Sequence, residues 1–313
     1  MEELDLRVLT KLESSVIKTL VYFNLFRYPL LKNEIHLFLP YLKANAIEVK
    51  DCLEALAADG LIHFREGYYQ LTDDTDLVTK REKGNKIAAE VLKKAIHYSS
   101  LISKFPFVEA VCISGSLSKG YMDEKGDIDY FIITKPKKLW IARTILILFK
   151  KIFLLNRHKH FCLNYFIDTD HLEIPDKNIF TATEITSLWP MVNQDVIEKF
   201  YNSNQWTGDF LPNGRHSIKH ITPLKKNRLG TGIEKMLSNS LGDLLDRWFM
   251  NMTLKRWNRK FGHFKDIDFE LALRSRKYVS KHHPLNFQQK VLNGIAAGIS
   301  EFEARHQVKL QNG

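Results

Sequence analysis

The first sixty residues carry apolar side chains every three or four positions, which is the spacing of an amphipathic helix. The pattern predicts helices over residues 8–24, 32–39 and 46–58. Asn45 stands where the third helix needs an N-cap, and Gly60 stands where that helix should end. Two short strands, LIHF and YYQL, are predicted next, on either side of a turn that contains glycine.

Three helices followed by a hairpin is the element order of a winged helix, and residues 10–72 resemble the winged helix-turn-helix superfamily in this order. The resemblance implies either a DNA-reading role or a packing and protein-contact role. The third helix and its end carry four acids against one lysine, Lys50; the acids are Glu48, Asp51, Glu54 and Asp59. A recognition helix needs basic or amide side chains, so specific binding of duplex DNA is not expected and the packing role is favoured.

Beyond the hairpin the pattern changes three times. Residues 76–104 form one long helical stretch, which predicts a connecting helix. Residues 105–205 alternate apolar strands with helices, residues 206–232 collect Pro and Gly as a linker does, and residues 233–313 return to helical spacing. We therefore predict an α+β multidomain chain, with a winged-helix-like domain over residues 1–75, a central mixed sheet with flanking helices, and a C-terminal helical domain.

The most apolar stretch, residues 139–155, is slightly short for a membrane span and is interrupted by Arg143, Lys150 and Lys151. Arg143 and Lys150 are seven residues apart and so share one face of a helix. The stretch therefore predicts a buried helix with a cationic stripe, and no membrane span.

Composition indicates an excess of basic residues and a cellular location. The 313 residues include 46 Lys or Arg and 36 Asp or Glu, a formal net charge of +10. The excess favours an anionic partner such as a nucleotide, nucleic acid or phosphorylated substrate, although a basic surface that serves only solubility gives the same count. The three cysteines lie far apart in apolar surroundings, and MEELDLRVLTKLESS lacks the basic start and apolar stretch of a signal peptide, so a cytoplasmic location is expected.

Residues 112–134, CISGSLSKGYMDEKGDIDYFIIT, place two carboxylates beside an apolar run. FVEAVCIS and DIDYFIIT are both predicted strands, and alternation along the second projects Asp127 and Asp129 from one face. Neighbouring carboxylates repel each other unless a cation lies between them, and Mg²⁺ commonly takes one or two protein carboxylates with water and phosphate. Gly115 and Ser116 offer backbone N–H groups and a hydroxyl at the end of the first strand, which suits a phosphate.

This arrangement resembles the DNA polymerase β-like nucleotidyltransferase superfamily, whose signature is an apolar residue, Gly, Gly or Ser, a spacer of about ten residues, and an Asp-apolar-Asp or Glu triplet. The matching residues are Ile113-Ser114-Gly115-Ser116 and Asp127-Ile128-Asp129. The resemblance implies a nucleotidyltransferase-type mixed sheet over about residues 105–205, with Mg²⁺ or Mn²⁺ held by the two Asp. It also implies transfer of a nucleoside monophosphate from an NTP to an acceptor hydroxyl, with release of pyrophosphate.

The resemblance also assigns the phosphates of the NTP to the turn. The candidate phosphate-binding residues are Gly115, Ser116, Ser118 and Lys119. On the following helix, Arg143 or Lys150 could neutralise the triphosphate, although a charged face turned to solvent is the favoured explanation for both.

The family usually carries a third carboxylate on a later strand, here the predicted strand HFCLNYFID over residues 160–168. Asn164 stands at the expected position, and an amide cannot act as a base. Asp168 shares its strand face but lies about 13 Å further along, and Asp170 or Glu173 could fold back from the following loop. Asn164 therefore leaves open a transferase without a protein base and a nucleotide-binding module without turnover.

The densest basic stretch runs from Lys255 to Lys281, with nine Lys or Arg against three acids and interleaved aromatic residues. The combination is typical of single-stranded nucleic-acid binding and equally of an amphipathic helix. In the resembled family a helical domain after the catalytic domain often covers the base or the acceptor, so acceptor choice is expected here. Arg274, Arg276 and Lys277 are the candidate phosphate contacts.

Three functions follow from the sequence. The first is a Mg²⁺-dependent nucleotidyltransferase that acts on an NTP and an unknown acceptor, which is a small molecule, a protein side chain or an RNA end. The second is a catalytically weak or inactive nucleotide-binding regulatory module. The third is a winged-helix DNA-binding regulator, which the acidic third helix opposes.

Overall fold

The chain folds around a mixed six-stranded sheet that has helices on both faces, so the protein is of the α+β class. The computed structural model describes residues 6–153, 160–215, 221–262, 270, 272–282 and 286–311. Within these ranges, no helix has the combined length and apolar character that crossing a membrane requires.

The N-terminal part contains the predicted helices and hairpin. Its elements in chain order are β1 (Arg7–Val8), α1 (Lys11–Asn24), β2 (Leu30–Leu31), α2 (Lys32–Leu37), α3 (Ala46–Ala58), β3 (His63–Arg65), β4 (Tyr68–Gln70) and α4 (Asp76–Ser103). Asn45 caps α3 as predicted, because its Oδ1 accepts the backbone N–H groups of Ile47 and Glu48 at 2.9 Å. Strand β2 joins the hairpin in the order β2-β4-β3.

The central and C-terminal parts hold the larger sheet and the remaining helices. The central elements are β5 (Val108–Ser114), α5 (Gly115–Ser118), β6 (Asp129–Thr134), α6 (Leu139–Phe153), β7 (Cys162–Asp168), α7 (Ile179–Ser187), β8 (Trp189–Val192), α8 (Gln194–Ser203) and α9 (Thr207–Phe210). The C-terminal elements are α10 (Arg228–Leu237), α11 (Ser240–Phe261), β9 (Ser275–Arg276), β10 (Val279–Lys281), α12 (Phe287–His306) and β11 (Val308–Lys309).

The large sheet has the strand order β8-β5-β6-β7-β10-β9. Strand β5 is antiparallel to β6, whereas β6 and β7 are parallel and are joined by a crossover through α6, as parallel neighbours require. Alternate residues of β5 face the two helical layers. Val111 and Ile113 join the core beneath α4 and α6, and Ala110 and Cys112 join the core beneath α7 and α8.

The predicted helix over residues 139–155 is present as α6 over Leu139–Phe153, residues 154–155 lying outside the described part of the chain, and the predicted stripe of Arg143 and Lys150 is not on a solvated face. Arg143 and Lys150 are both buried. The Arg143 guanidinium lies 5.5 Å from the ring of Trp140 and 5.0 Å from that of Trp257. Burial lowers the pKa of Arg143 to about 10. The two rings therefore supply the cation–π contact that a buried guanidinium needs, and Arg143 serves packing.

The segment predicted as wholly helical, residues 233–313, also contributes three short strands. Strands β9 and β10 extend the large sheet beyond β7, and β11 pairs in parallel with β1 near the N-terminus. Apolar residues of α12 and β11, among them Val291, Phe302 and Val308, belong to the same core as the N-terminal helices. Strands of two or three residues are too short to leave a periodic signal in the sequence, which is why the prediction missed them.

Tyr28 anchors the N-terminal helices to the loop that follows α5. Its hydroxyl donates to the backbone carbonyl of Lys119 at 2.8 Å, and its ring meets the ring of Tyr121 edge-on at 5.5 Å. The Arg81 guanidinium lies 3.6 Å from the centre of the Tyr28 ring and donates to the Pro29 carbonyl at 3.0 Å. These contacts hold α1 close to the edge of the sheet where the predicted site lies.

Gly84 of α4 tests this anchoring, because a Cβ at this position would overlap the ring of Tyr121. We expect Gly84→Ala to lower the free energy of unfolding by about 2 kcal/mol, since the Tyr121 ring must move out of its packing. Urea unfolding of the purified protein measures the change. The direction is informative, because alanine in place of glycine otherwise stabilises a helix by about 1 kcal/mol.

The matched control is Gly232→Ala in α10, where an added Cβ meets no atom within 4 Å. This variant should gain up to about 1 kcal/mol of stability. Equal gains in both variants would show that Tyr121 does not pack against Gly84.

Candidate functional site

Antiparallel pairing brings the end of β5 beside the start of β6. Ser114 pairs in register with Asp129, so Gly115 lies next to this carboxylate. The φ of Gly115 is +68°, and a Cβ at this position would overlap Oδ2 of Asp129. Glycine satisfies both conditions, because it adopts the left-handed conformation without strain and leaves room for the carboxylate. The predicted turn and the predicted acids are therefore neighbours in the structure.

Asp127 does not lie on the strand as predicted, because the ladder between β5 and β6 ends at the pair Ser114–Asp129. It lies in the preceding loop and is exposed, whereas Asp129 is largely buried. Both acids nevertheless line one cavity of about 700 Å³ at this edge of the sheet. The predicted site residues that line it are Gly115, Ser116, Lys119, Asp127, Asp129 and Asn164.

Ser118 and Asp168 lie elsewhere. The Ser118 hydroxyl donates to the Gly115 carbonyl at 2.8 Å and so braces the turn from within. Asp168 pairs in register with Thr134, at the opposite end of β6 from Asp129, because each strand residue advances by about 3.3 Å. Its Oδ1 lies 2.7 Å from Nδ1 of His171. Asp168 is therefore too far along the sheet to act as a third acid.

The other two candidates for a third acid are also outside the cavity lining. Asp170 is exposed beyond the end of β7, and Glu173 forms an ion pair with Lys177 at 2.7 Å. Asn164 does lie beside the acids, since its amide Nδ2 donates to Oδ1 of Asp129. The position expected for a third carboxylate is thus occupied by an amide that is already hydrogen-bonded to the pair.

Burial controls the electrostatics of Asp129 and raises its pKa to about 7. The negative charges of Asp127 and Glu184 add to the rise, and the neighbouring Cys162 thiol and the Lys119 charge oppose it. The Cys162 thiol donates to Oδ1 of Asn164 at 3.0 Å. Asp129 is therefore a desolvated acid whose ionised form lacks a positive partner of comparable strength.

The basic residues near the turn differ in whether they could contact a bound phosphate. Lys119 Nζ forms an ion pair with Glu184 at 2.8 Å and donates to the Gly115 carbonyl at 3.3 Å. Lys150 is buried on α6, and burial lowers its pKa while the charge of Asp127 opposes the change. A phosphate on the turn would therefore compete with Glu184 for Lys119, whereas Lys150 is not in the cavity lining.

A divalent cation fits Asp127 and Asp129 on the condition that a phosphate ligand binds together with it. Among the described residues, no group of three or more His, Cys, Asp or Glu side chains could hold a metal ion. Mg²⁺, however, is commonly held by one or two carboxylates together with water and substrate phosphate. The raised pKa of Asp129 shows a carboxylate that a cation would stabilise in its ionised form. Asp127 and Asp129 therefore fit an ion that is bound jointly with a phosphate ligand.

Three further segments close the cavity, and the sequence connected only the last of them, near β10, with ligand binding. They contribute aromatic rings within and just after α1, in α7 and in α12, acids before and within α7, and polar groups near β10. The residues concerned include Tyr22, Phe23, Phe26, Tyr28, Asp176, Phe180, Glu184, Lys281, His282, Phe287 and Gln288. Those near α1 and α7 carry no local sequence signal that distinguishes them from core or surface residues.

The predicted phosphate contacts of the C-terminal segment, Arg274, Arg276 and Lys277, do not themselves line the cavity, although Asp176, the ion-pair partner of Arg274, does. Arg274 forms a bidentate pair with Asp176 at 2.8 and 3.1 Å, and Arg276 pairs with Glu270 at 2.9 Å. Lys277 is exposed. The neighbouring Lys281 lines the cavity instead, where its Nζ donates to Gln288 Oε1 at 3.0 Å.

The site as a whole offers a glycine turn, an exposed Ser116 hydroxyl, a carboxylate pair and an aromatic wall in one small-molecule-sized cavity. This set can hold an anionic ligand through a shared cation, with the apolar wall beside it. Comparison of the chain with protein-family models, with curated proteins and with solved structures finds no match. The function is therefore inferred from the residues of this chain.

The ionised carboxylate of Asp129 should lower the free energy of unfolding of the metal-free protein. We expect Asp129→Asn to raise the free energy of unfolding by about 2 kcal/mol near pH 8 in the presence of a chelator. Its pKa of about 7 in the folded state lies above the ordinary value of 3.8, so the ionised carboxylate opposes folding. The cost grows as pH rises from about 4 to about 7, and the gain from Asn should shrink as pH falls towards about 4.

Urea unfolding at several pH values measures this gain, with Asp51→Asn on the exposed side of α3 as control. The control should change stability by less than about 0.5 kcal/mol at each pH. A gain from Asp129→Asn that does not vary with pH would mean that this carboxylate is not desolvated.

Substitutions of Gly115 and Gly120 distinguish the stability cost of a strained backbone from the cost of a steric overlap with Asp129. Both have positive φ, +68° and +72°, but an added Cβ overlaps Asp129 only at residue 115 and meets nothing within 4 Å at residue 120. We expect Gly120→Ala to cost about 1 kcal/mol and Gly115→Ala about 3 kcal/mol. Thermal unfolding measures both, and similar losses would show that Asp129 does not occupy the space beside Gly115.

Proposed function

We propose that the protein is a Mg²⁺- or Mn²⁺-dependent nucleotidyltransferase. It transfers a nucleoside monophosphate from an NTP to an acceptor hydroxyl and releases pyrophosphate. The observation that supports this most is the placement of the Gly115–Ser116 turn against Asp129, with Asp127 in the same cavity. The cavity volume of about 700 Å³ suits a nucleotide together with a small acceptor group.

In this proposal the turn binds the β and γ phosphates. The positive φ of Gly115 leaves the backbone uncovered, and Ser116 presents an exposed hydroxyl. Lys119 would move from Glu184 to the phosphate, since both are anions within reach of its Nζ. Ser118 keeps the turn in shape through its bond to the Gly115 carbonyl.

Asp127 and Asp129 would hold the divalent ion and orient the α-phosphate between them. When bound, the ion supplies positive charge to the attacking and leaving oxygens of an in-line displacement. Asn164 orients Asp129 through its amide and leaves the other carboxylate oxygen, Oδ2, on the side of Gly115. The acceptor proton cannot go to Asn164, because an amide is not a base. Glu184 also lines the cavity and would receive the proton once Lys119 turns to the phosphate.

The alternative is a nucleotide-binding regulatory module with little or no turnover. The observation in its favour is the Asn164 amide, which occupies the place of the third acid and already donates to Asp129. A DNA-binding regulator is the third alternative. The solvent side of α3 opposes it, because Glu48, Asp51 and Glu54 are exposed there and would repel a duplex.

We propose that the N-terminal segment, residues 1–75, is a winged-helix-like domain whose role is packing. The order of α1, α2, α3 and the β3–β4 hairpin supports this, as do the contacts of Tyr28 with the loop after α5. Its aromatic residues Tyr22, Phe23 and Phe26 then form one wall of the catalytic cavity. The acceptor remains a small molecule, a protein side chain or an RNA end, and a cytoplasmic location is part of the same proposal.

The experiment is a transfer assay with each α-labelled NTP, Mg²⁺ or Mn²⁺, and a cell extract as the pool of acceptors. We expect label transfer that falls by about a thousandfold in the double variant Asp127→Ala with Asp129→Ala, because the ion contributes several kcal/mol to the transition state. The matched control is Asp51→Ala, an exposed acid outside the cavity, which should retain full activity.

Two outcomes contradict the transferase. Metal-dependent NTP binding by calorimetry, lost in the double variant and without any label transfer, would establish the binding module instead. Absence of both binding and transfer would show that the turn and the acid pair do not form a nucleotide site.

A further inference from the structure

Helix α11 exposes a row of large apolar side chains. Leu241, Leu244, Trp248 and Met252 follow each other at intervals of three and four residues, so they lie on one face of the helix. Trp248 is 57% exposed and Leu241 is 63% exposed. Single exposed apolar residues are ordinary on a protein surface, but four in succession on one helix face mark a contact surface.

Basic residues continue and flank this row. Lys255 and Arg259 extend the same spacing towards the end of α11, and Arg247 lies beside Trp248; all three are exposed. The preceding helix, α10, also exposes two apolar residues one heptad apart, Leu229 and Met236. The apolar row is therefore bordered by positive charge.

The acids of this region are all engaged with other parts of the molecule. Residues 225–262, a range described without gaps, contain three acids and nine Lys or Arg. Glu234 pairs with Lys135 at 2.7 Å, Asp243 pairs with Lys138, and Asp246 accepts the backbone N–H of Ile141 at 2.9 Å. The outer face of α11 consequently carries apolar groups and cations without a free carboxylate.

We propose that this face of α11 docks the protein on an anionic lipid bilayer surface. An interfacial helix needs an apolar row that enters the acyl boundary and basic residues that meet the anionic headgroups. Trp248 is the residue type most suited to the interface, since its ring is apolar and its N–H is polar. The docking is independent of the nucleotidyltransferase proposal, because none of these residues lines the cavity.

Two other occupants fit the same face less well. A single-stranded nucleic acid would use aromatic rings for stacking, but three of the four apolar residues are aliphatic and cannot stack on bases. A second copy of the chain would bring the cations of Arg247, Lys255 and Arg259 against their equivalents, and each molecule has a formal charge of +10. An anionic surface with an apolar interior satisfies both the row and its borders.

The test is cosedimentation of the full chain with vesicles of phosphatidylcholine alone or of an equal mixture of phosphatidylcholine and phosphatidylglycerol. We expect binding to the mixed vesicles only, weakened by salt, together with a blue shift of tryptophan emission that Trp248→Phe abolishes. Leu244→Asp with Trp248→Asp, and separately Arg247→Glu with Lys255→Glu, should each weaken binding by about tenfold or more.

Matched controls make the same changes elsewhere on the surface. Ile47→Asp replaces an exposed apolar residue of α3, and Lys11→Glu with Lys43→Glu reverses two exposed charges. The controls should bind the mixed vesicles like the wild type. Circular dichroism and urea unfolding show that each variant remains folded, which is expected because the changed side chains are exposed.

Three results would overturn the proposal. One is absence of binding to the mixed vesicles, or binding that the α11 variants leave unchanged. Another is binding of labelled single-stranded RNA, but not of vesicles, with the same sensitivity to the α11 variants. The third is a dimer in sedimentation equilibrium that Leu244→Asp dissociates, because the face would then be an interface between two copies of the chain.

Discussion

The carboxylate of Asp129 occupies the space that a side chain on residue 115 would need. This close approach depends on two facts, the left-handed backbone of Gly115 and the register that pairs Ser114 with Asp129. Shifting the register by one residue would turn Asp129 to the other face of the sheet, into the core beneath α4 and α6. The geometry of the turn and the placement of Asp129 at the cavity therefore depend on the pairing between β5 and β6, and the pairing of β6 with β7 brings Asn164 beside Asp129.

The position of the Asp129 carboxylate beside Gly115 has an energetic cost. Asp129 is desolvated, and Asp127 and Glu184 add negative charge nearby, so its pKa rises to about 7. The Asn164 amide donates to Asp129 and the Cys162 thiol donates to Asn164, but neither group brings positive charge. A fold selected only for stability would replace such a group with an amide or an apolar side chain. Its presence beside an open cavity is the feature that function explains better than packing.

Local chemistry made part of this structure predictable. The cap at Asn45, the end of α3 before Gly60, the turn at Gly115 and the apolar strand β6 each depend on neighbours in sequence. Rise per residue already separated Asp168 from Asn164, but which residue of β7 lies beside Asp129 was not resolvable by the same means, because strand alternation fixes the face of a residue and not its register against another strand. The walls formed by α1, α7 and α12 arise only from tertiary packing. Phe26 and Phe287, whose ring centres lie 5.8 Å apart, are more than two hundred positions apart in the chain.

The positive net charge has a different meaning once the structure is known. It suggested an anionic ligand in the site, yet the two lysines that line the cavity are already paired, Lys119 with Glu184 and Lys281 with Asp176. Among the described residues, the lining acids without an ion pair are Asp123, Asp127 and Asp129, so a triphosphate in this cavity would need a cation to offset their charge. The basic excess lies instead on outer surfaces such as α11, where every acid is engaged elsewhere. The charge distribution thus supports the two proposals separately, a metal-dependent contact inside the cavity and a long-range attraction on the outer face.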